Sequence, residues 1–228
     1  MGGSSWSDDA YTSRVADRVS SRGTAFAYDA DVKSGAVTTK THNSLDPKGL
    51  KIRESRDSAA HPTSNAILVW LDVTGSMGSV VGQIHKKLPT LMGILVRKGY
   101  LPDPQILFGA IGDATTDKAP LQVGQFESGD EMEGDLSNFF IEGNGGGQTP
   151  PTESYELAAY VGARKTSTDC YEKRGKKGYC FIIGDERPYP TVSKSIISRL
   201  IGPELESDLP TKTAFAELQE KYNTFFIL

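Results

Sequence analysis

Cysteine is scarce in this sequence, with only Cys170 and Cys180 among 228 residues. So sparse a pair is no disulfide framework of the kind that small secreted domains use. Cys180 lies inside the apolar run 179–183, where a thiol behaves as a small hydrophobic side chain. We expect two free thiols, and a local bridge between them is the alternative.

Long hydrophobic runs and an excess of positive charge are also missing. The apolar stretches are strand-sized, far below the roughly 20 residues needed to span a bilayer. Residues 1–11 lack the apolar core of a secretory signal. Lys and Arg total 25 against 29 Asp and Glu, so the composition lacks the excess of positive charge that is typical of proteins that bind polyanions. We therefore expect a soluble, cytoplasmic protein whose partners include neither nucleic acid nor a membrane.

Common catalytic signatures are absent as well. The three histidines are scattered through the chain, which gives no support to a histidine-based relay. The Gly-rich run 143–147 is not followed by the Gly-Lys-Ser/Thr ending of a P-loop, so it does not predict a nucleotide site. Asp113 is expected to be a solvated loop carboxylate, with a place near a site as the alternative. We expect a protein that is not an enzyme.

Two regions differ in composition. Residues 1–62 are rich in Ser, Thr, Asp, Lys and Gly and have few large apolar residues in any period, which predicts an extended N-terminal arm without a core of its own. Residues 63–228 contain the apolar runs and form the predicted domain. The chain is long enough for one such domain and an appendage.

The domain alternates between strands and helices. Continuous apolar runs predict strands at 66–71, 104–111, 178–184 and 224–228, and an alternating one at 121–126. Helical spacing predicts helices at 80–98, 130–140, 193–201 and 213–222, and one that Thr152 opens. This order predicts an α/β fold with an open, mostly parallel, doubly wound, Rossmann-like sheet and one antiparallel edge strand.

Oxygen-bearing side chains follow the predicted parallel strands. Ligands of such sheets bind outside the carboxyl ends of the strands, where the loops converge. Candidate ligands stand at these ends and in the Gly-rich loop: Asp72, Thr74, Ser76, Thr149 and Asp185. Two carboxylates and three hydroxyls, without His or thiolate, suit a hard cation. We expect Mg2+, or another hard divalent cation such as Mn2+ or Ca2+.

At these residues the chain resembles the von Willebrand factor A family. The metal-ion-dependent adhesion motif of that family, Asp-x-Ser-x-Ser with a distant Thr and a distant Asp, is similar to Asp72-Val73-Thr74-Gly75-Ser76, then Thr149, then Asp185. Thr74 keeps the hydroxyl of the usual Ser. The resemblance covers residues 65–228 and implies a fold of this type that lacks the last strand and helix. It implies that the hydroxyls bind the metal directly and the aspartates act through water.

Three functions are compatible with these features. A cation facing neutral hydroxyls would accept a carboxylate, so we expect a metal-dependent module that binds a protein partner through its Asp or Glu. The resemblance implies an intracellular adaptor or assembly subunit, with an AAA+ ATPase or further copies of the chain as partner. One alternative is a structural subunit of a polymer or particle joined by the arm. A haloacid-dehalogenase-like phosphatase with Asp72 as nucleophile is disfavoured, because Thr74 replaces its general acid.

Overall fold

The computed structural model describes residues 7–97, 99–142 and 152–228. The helices are α1 Asp8–Arg22, α2 Ala27–Lys33, α3 Gly78–Met92, α4 Glu131–Ser137, α5 Tyr155–Arg164, α6 Asp169–Glu172, α7 Lys194–Leu200 and α8 Thr211–Lys221. The strands are β1 Arg53–Ser55, β2 Asn65–Asp72, β3 Pro104–Ile111, β4 Leu121–Val123, β5 Thr152–Glu153, β6 Thr166–Thr168, β7 Gly178–Ile183, β8 Arg187–Pro188, β9 Thr191–Val192, β10 Leu209–Pro210 and β11 Tyr222–Ile227. A short 3-10 turn, Gly75–Met77, precedes α3, and a π-helical turn, Gly93–Arg97, follows it.

Five strands form the central sheet in the order β11-β7-β2-β3-β4. β11, β7, β2 and β3 run parallel, and β4 pairs antiparallel with β3 at one edge. The prediction of a mostly parallel α/β sheet with an antiparallel edge strand is therefore confirmed, and the architecture is compatible with a Rossmann-like fold. Shorter pairs, β1 with β6, β5 with β8 and β9 with β10, lie outside this sheet.

Helices cover both faces of the sheet. Along β2, alternate side chains point to opposite faces. Ile67 and Val69 pack with Leu88 of α3 in one buried cluster. Leu68 and Trp70 pack with residues of α5 and α8 in a second cluster. Because β2 is buried on both faces, its sequence is continuously apolar, which is the pattern of an interior parallel strand.

The N-terminal segment is helical in part, where the sequence predicts an extended arm. α1 begins after Ser7, whose side chain accepts a hydrogen bond from the backbone of α1, and it ends at Gly23 with a left-handed φ of 74°. These caps are ordinary helix signals. The expectation of extended structure in 1–62 was wrong at α1 and α2, because it relied on apolar periodicity, which is weak there.

Aromatic side chains attach this segment to the core. Tyr11 and Phe26 are buried in the cluster around α3, and the Tyr11 hydroxyl lies 2.7 Å from Nδ1 of His85 in that helix. The segment therefore contributes to a shared core, although it is too poor in apolar residues to build one alone. The division into residues 1–62 and 63–228 stays a prediction.

The start of α5 differs from the prediction that Thr152 opens it. Thr152 lies in β5, which pairs with β8, and α5 begins at Tyr155 after Ser154. The Ser154 hydroxyl accepts a hydrogen bond from the amide of Ala114 at 2.9 Å. Tertiary pairing, rather than local helix capping, therefore governs residues 152–154.

Membrane-spanning segments were also sought in the described ranges. None of their helices combines the length and the apolarity that crossing a bilayer requires.

Gly109 offers a test of the packing in the sheet. A Cβ at this position would lie 2.1 Å from Cζ3 of the buried Trp70 ring. Because the ring is enclosed, we expect Gly109→Ala to lower the free energy of unfolding by about 2 kcal/mol or more. Urea denaturation would measure the change. Gly82→Ala is the control, since a Cβ there meets nothing within 4 Å and should stabilise α3 by about 0.5–1 kcal/mol.

Candidate metal centre

Asp72 lies at the carboxyl end of the central strand β2 and is 1% exposed. Its Oδ1 accepts hydrogen bonds from the amide of Thr74 at 2.8 Å and from the Thr74 hydroxyl at 2.5 Å. Asp favours such bonds to the backbone two residues further on, and they shape the turn that leaves the strand. The turn Gly75–Met77 then leads into α3. The spacing Asp-x-Thr thus fixes a carboxylate and a hydroxyl side by side.

Asp185 reaches the same edge of the sheet from β7. This strand pairs in parallel with β2, and Leu71 is opposite Ile183, so both strands end at the same level. The Ser76 hydroxyl donates a hydrogen bond to Oδ1 of Asp185 at 3.2 Å. Four of the five predicted site residues therefore lie together at this edge.

Thr149, the fifth predicted site residue, lies outside the described residues. The described chain resumes at Thr152, which pairs with Arg187. This pairing places Thr152 beside the segment that follows Asp185. The participation of Thr149 in the site stays a prediction.

Tyr155 is a site neighbour that the sequence predicts only as a packing residue. Its hydroxyl donates a hydrogen bond to Oδ2 of Asp72 and accepts one from the amide of Glu186 at 3.4 Å. A Cβ at Gly184 would lie 2.2 Å from the same hydroxyl. Tyr155 therefore connects the loops after β2 and β7. Its position as the first residue of a helix after the Gly-rich loop is the signal that could have found it.

The charged side chains of the candidate site are acidic. Burial raises the pKa of Asp72, the hydrogen bonds from Thr74 and Tyr155 oppose that shift, and the charge of Asp185 adds to it. Among the described residues, Asp72 and Asp185 receive hydrogen bonds from hydroxyls and one amide, and no Lys or Arg pairs with either of them. The charge of Asp185 thus acts on Asp72, and no protein cation pairs with either carboxylate in the described part of the chain.

The described donors at this edge are two carboxylates and two hydroxyls. No group of three or more His, Cys, Asp or Glu that could hold a metal occurs among the described residues. A hard cation such as Mg2+ nevertheless takes oxygen ligands of mixed kind and retains several waters. The chemical type of these donors fits such an ion, and the number of protein ligands in the described part is small.

Asp113 is buried, whereas the sequence predicts a solvated loop carboxylate. It follows β3 and is 0% exposed. Its Oδ1 accepts hydrogen bonds from the amide and the hydroxyl of Thr115, both at 2.8 Å, and from the Tyr189 hydroxyl at 3.0 Å. The expectation was wrong because the covering residue, Tyr189, is distant in sequence and only the fold brings it near.

Glu156 lies in α5 next to this second polar cluster. Its Oε2 accepts a hydrogen bond from the amide of Tyr189 at 3.1 Å. Burial raises the pKa of Glu156 to about 8, and the nearby charge of Asp113 adds to the shift. The carboxyl therefore holds a proton at neutral pH in the folded chain.

Comparisons with known proteins add only a weak structural likeness. No family model matches the sequence, and no curated protein is significantly similar to it. The chain resembles crystal structures of the pilus adhesin SpaC from Lactobacillus rhamnosus GG. In the open conformation the identity is 14%, the TM-score is 0.39, and the match covers 60% of this chain and 16% of that one. For a second crystal form of the same adhesin the identity is 10% and the TM-score is 0.40, and the match covers 60% of this chain and 17% of that one. The chain thus spans about a sixth of the adhesin.

The raised pKa of Glu156 predicts a pH dependence of stability. The unfolded chain loses the proton near pH 4.3, whereas the folded chain keeps it to about pH 8. The folded state binds more protons in this window, so the free energy of unfolding should fall as pH rises through it. Glu156→Gln should remove this pH dependence. Between pH 5 and pH 8 the free energy of unfolding of the variant should therefore rise by at least about 1 kcal/mol relative to that of the natural protein.

Urea denaturation at several pH values would measure this difference. Glu220→Gln is the control, because Glu220 is an exposed residue of α8 and its variant should follow the natural protein at every pH. Equal pH slopes for Glu156→Gln and the natural protein would contradict the assignment of a protonated Glu156.

Proposed function

We propose that this chain is a metal-dependent binding module, not an enzyme. A hard divalent cation, Mg2+ in the first place, is held by Asp72, Thr74, Ser76 and Asp185, with Thr149 as a further ligand. The cation then receives an Asp or Glu side chain from a protein partner in the cytoplasm. The fold type proposed with it is that of the von Willebrand factor A family.

One observation carries this proposal. Asp72 is buried, lies near a second carboxylate and has no basic partner among the described residues. Burying an ionised carboxylate without a compensating charge is costly. A divalent cation between Asp72 and Asp185 would supply that charge, and the hydroxyls of Thr74 and Ser76 would add neutral oxygen ligands. The hydroxyls would bind the ion directly and the carboxylates through water, so the charge of the ion is reduced less than by direct carboxylate ligands.

The exposure of the site supports a partner as the last ligand. Asp72 and Thr74 are buried, whereas Ser76 and Asp185 are exposed. An ion held between them would have one side toward the protein and one toward solvent. A cation with few carboxylate ligands remains a strong Lewis acid, so an incoming carboxylate can replace a water favourably.

The contacts of α1 favour this module over a subunit that uses its N-terminal arm to join neighbours. Arg14 pairs with Asp130 at 3.1 Å and with Glu133 at 2.7 Å, both in the same chain. These pairs give α1 an intramolecular role. An AAA+ ATPase, or another copy of the chain, remains the proposed type of partner.

Metal binding predicts a stability that depends on Mg2+. If the ion binds only the folded state, MgCl2 at about 100 times its Kd should add about 2.7 kcal/mol to the free energy of unfolding. Asp185→Asn removes one carboxylate from an exposed position and should reduce this gain by weakening binding. Thermal denaturation with MgCl2, compared with NaCl at equal ionic strength, would measure both.

Asp17→Asn is the matched control, because Asp17 is an exposed residue of α1, far in sequence from the site. Its variant should keep the whole gain. Equal stabilisation of Asp185→Asn and the natural protein would place the ion elsewhere, and the absence of any gain at saturating concentrations would contradict metal binding altogether.

A carboxylate probe tests the open side of the ion. Mn2+ in the site should speed the relaxation of water protons that exchange with its bound waters. A short peptide with one glutamate should displace a bound water and lower that enhancement, and the same peptide with glutamine should leave it unchanged. Equal effects of the two peptides would contradict recognition of a partner carboxylate while leaving metal binding intact.

A further inference from the structure

A cavity lies at the amino-terminal edge of the sheet, opposite the candidate metal centre. Its volume is about 580 Å3, and residues at the beginnings of β2, β7 and β11 line it, namely Asn65, Tyr179 and Asn223. This size lies within the range of small-molecule sites in proteins, about 300–1,000 Å3.

The lining of this cavity is positively charged. Arg174, Lys176 and Lys177 contribute to it, and none of its described lining residues is Asp or Glu. The chain as a whole has a formal net charge of −4. The positive charge of this lining is therefore opposite in sign to the net charge of the chain. A concave surface lined by one sign of charge focuses its field and attracts ions of the opposite sign.

These cations are not all neutralised by neighbours. Arg174 pairs with Asp57 at 2.5 Å. Lys177 donates to the neutral backbone carbonyl of Gln219 at 2.6 Å, and no carboxylate of the described ranges forms an ion pair with it. Lys176 is exposed, and no carboxylate within the described residues pairs with its ammonium group. Two of the three positive charges are therefore available to an anion.

The loop that carries the cations is held in place by its own backbone. The amide of Gly175 donates to the carbonyl of Tyr171 at 2.9 Å, and the amide of Lys176 donates to the carbonyl of Cys170 at 2.8 Å. Gly175 has a φ of 63°, in the left-handed region. Because the loop is already ordered, the entropy cost of ordering it when a ligand binds is small.

Aromatic and apolar side chains form another part of the lining. Tyr100 is 70% exposed, although it is a large aromatic residue, and it lines the cavity together with Tyr179, Leu101 and Pro102. An exposed ring beside cations can stack on a planar group, and a stacked base contributes about 1–3 kcal/mol per base in other proteins.

We propose that this cavity binds a small phosphorylated ligand with a planar ring, of the size of a nucleoside diphosphate. Lys176 and Lys177 hold the phosphates, and Tyr100 stacks on the ring. Polynucleotides are disfavoured as ligands by the net negative charge of the chain. This site is separate from the metal centre and does not depend on the function proposed for it.

Isothermal titration of the whole chain with ADP, in metal-free buffer, tests the proposal. The absence of metal excludes a contribution from the candidate metal centre. We expect ADP to bind with a Kd below about 1 mM and inorganic phosphate to bind more weakly. Reversing both charges, in Lys176→Glu with Lys177→Glu, should weaken ADP binding at least about tenfold, and Tyr100→Ala should weaken it about fivefold.

Lys212→Glu is the matched control, because Lys212 is an exposed residue of α8 outside the cavity and should leave ADP binding unchanged. Circular dichroism would verify that each variant is folded. The proposal is overturned if ADP does not bind, if the lysine and tyrosine variants bind as the natural protein does, or if phosphate binds as tightly as ADP. Tighter binding of hexaglutamate at the same lysines would also overturn it, in favour of an acidic peptide.

Discussion

A carboxyl group buried at the end of the central strand is the constraint on which the candidate site depends. Asp72 is enclosed by the sheet and by α5, and its described contacts are hydroxyls and one amide. Such an arrangement orients the group firmly without neutralising it. Within the described ranges this carboxyl group has no basic partner, and the exposed carboxylate of Asp185 lies at the same edge of the sheet.

The sequence was sufficient for the parts of the fold that depend on local pattern. Continuous apolar runs identified β2, β3 and β7, and parallel strands necessarily bring Asp72 and Asp185 to one edge. Tyr155 and Asp113 could not be assigned in the same way, because their partners come from segments 83 and 76 residues away. α1 was missed for a different reason, since caps rather than apolar spacing define it.

The two edges of the sheet have opposite electrostatic character. Carboxylates gather at the carboxyl ends of the strands, and Lys176 and Lys177 line the cavity at the amino ends. β2 spans Asn65–Asp72, which separates the edges by roughly 23 Å at 3.3 Å per residue. That distance exceeds the Debye length of about 8 Å at physiological ionic strength, so solvent-exposed charges of ligands at the two edges would be largely screened from each other.

The close approach of Gly184 to Tyr155 restricts how this molecular surface can change. Any side chain at position 184 would collide with the phenol ring, so that position is closed to substitution unless the ring moves and releases Asp72. If the proposed function holds, changes in partner recognition would have to arise further along the chain, at exposed positions such as Arg187 at the start of β8. An engineer who wishes to alter selectivity while keeping the carboxylates in place would diversify that stretch first.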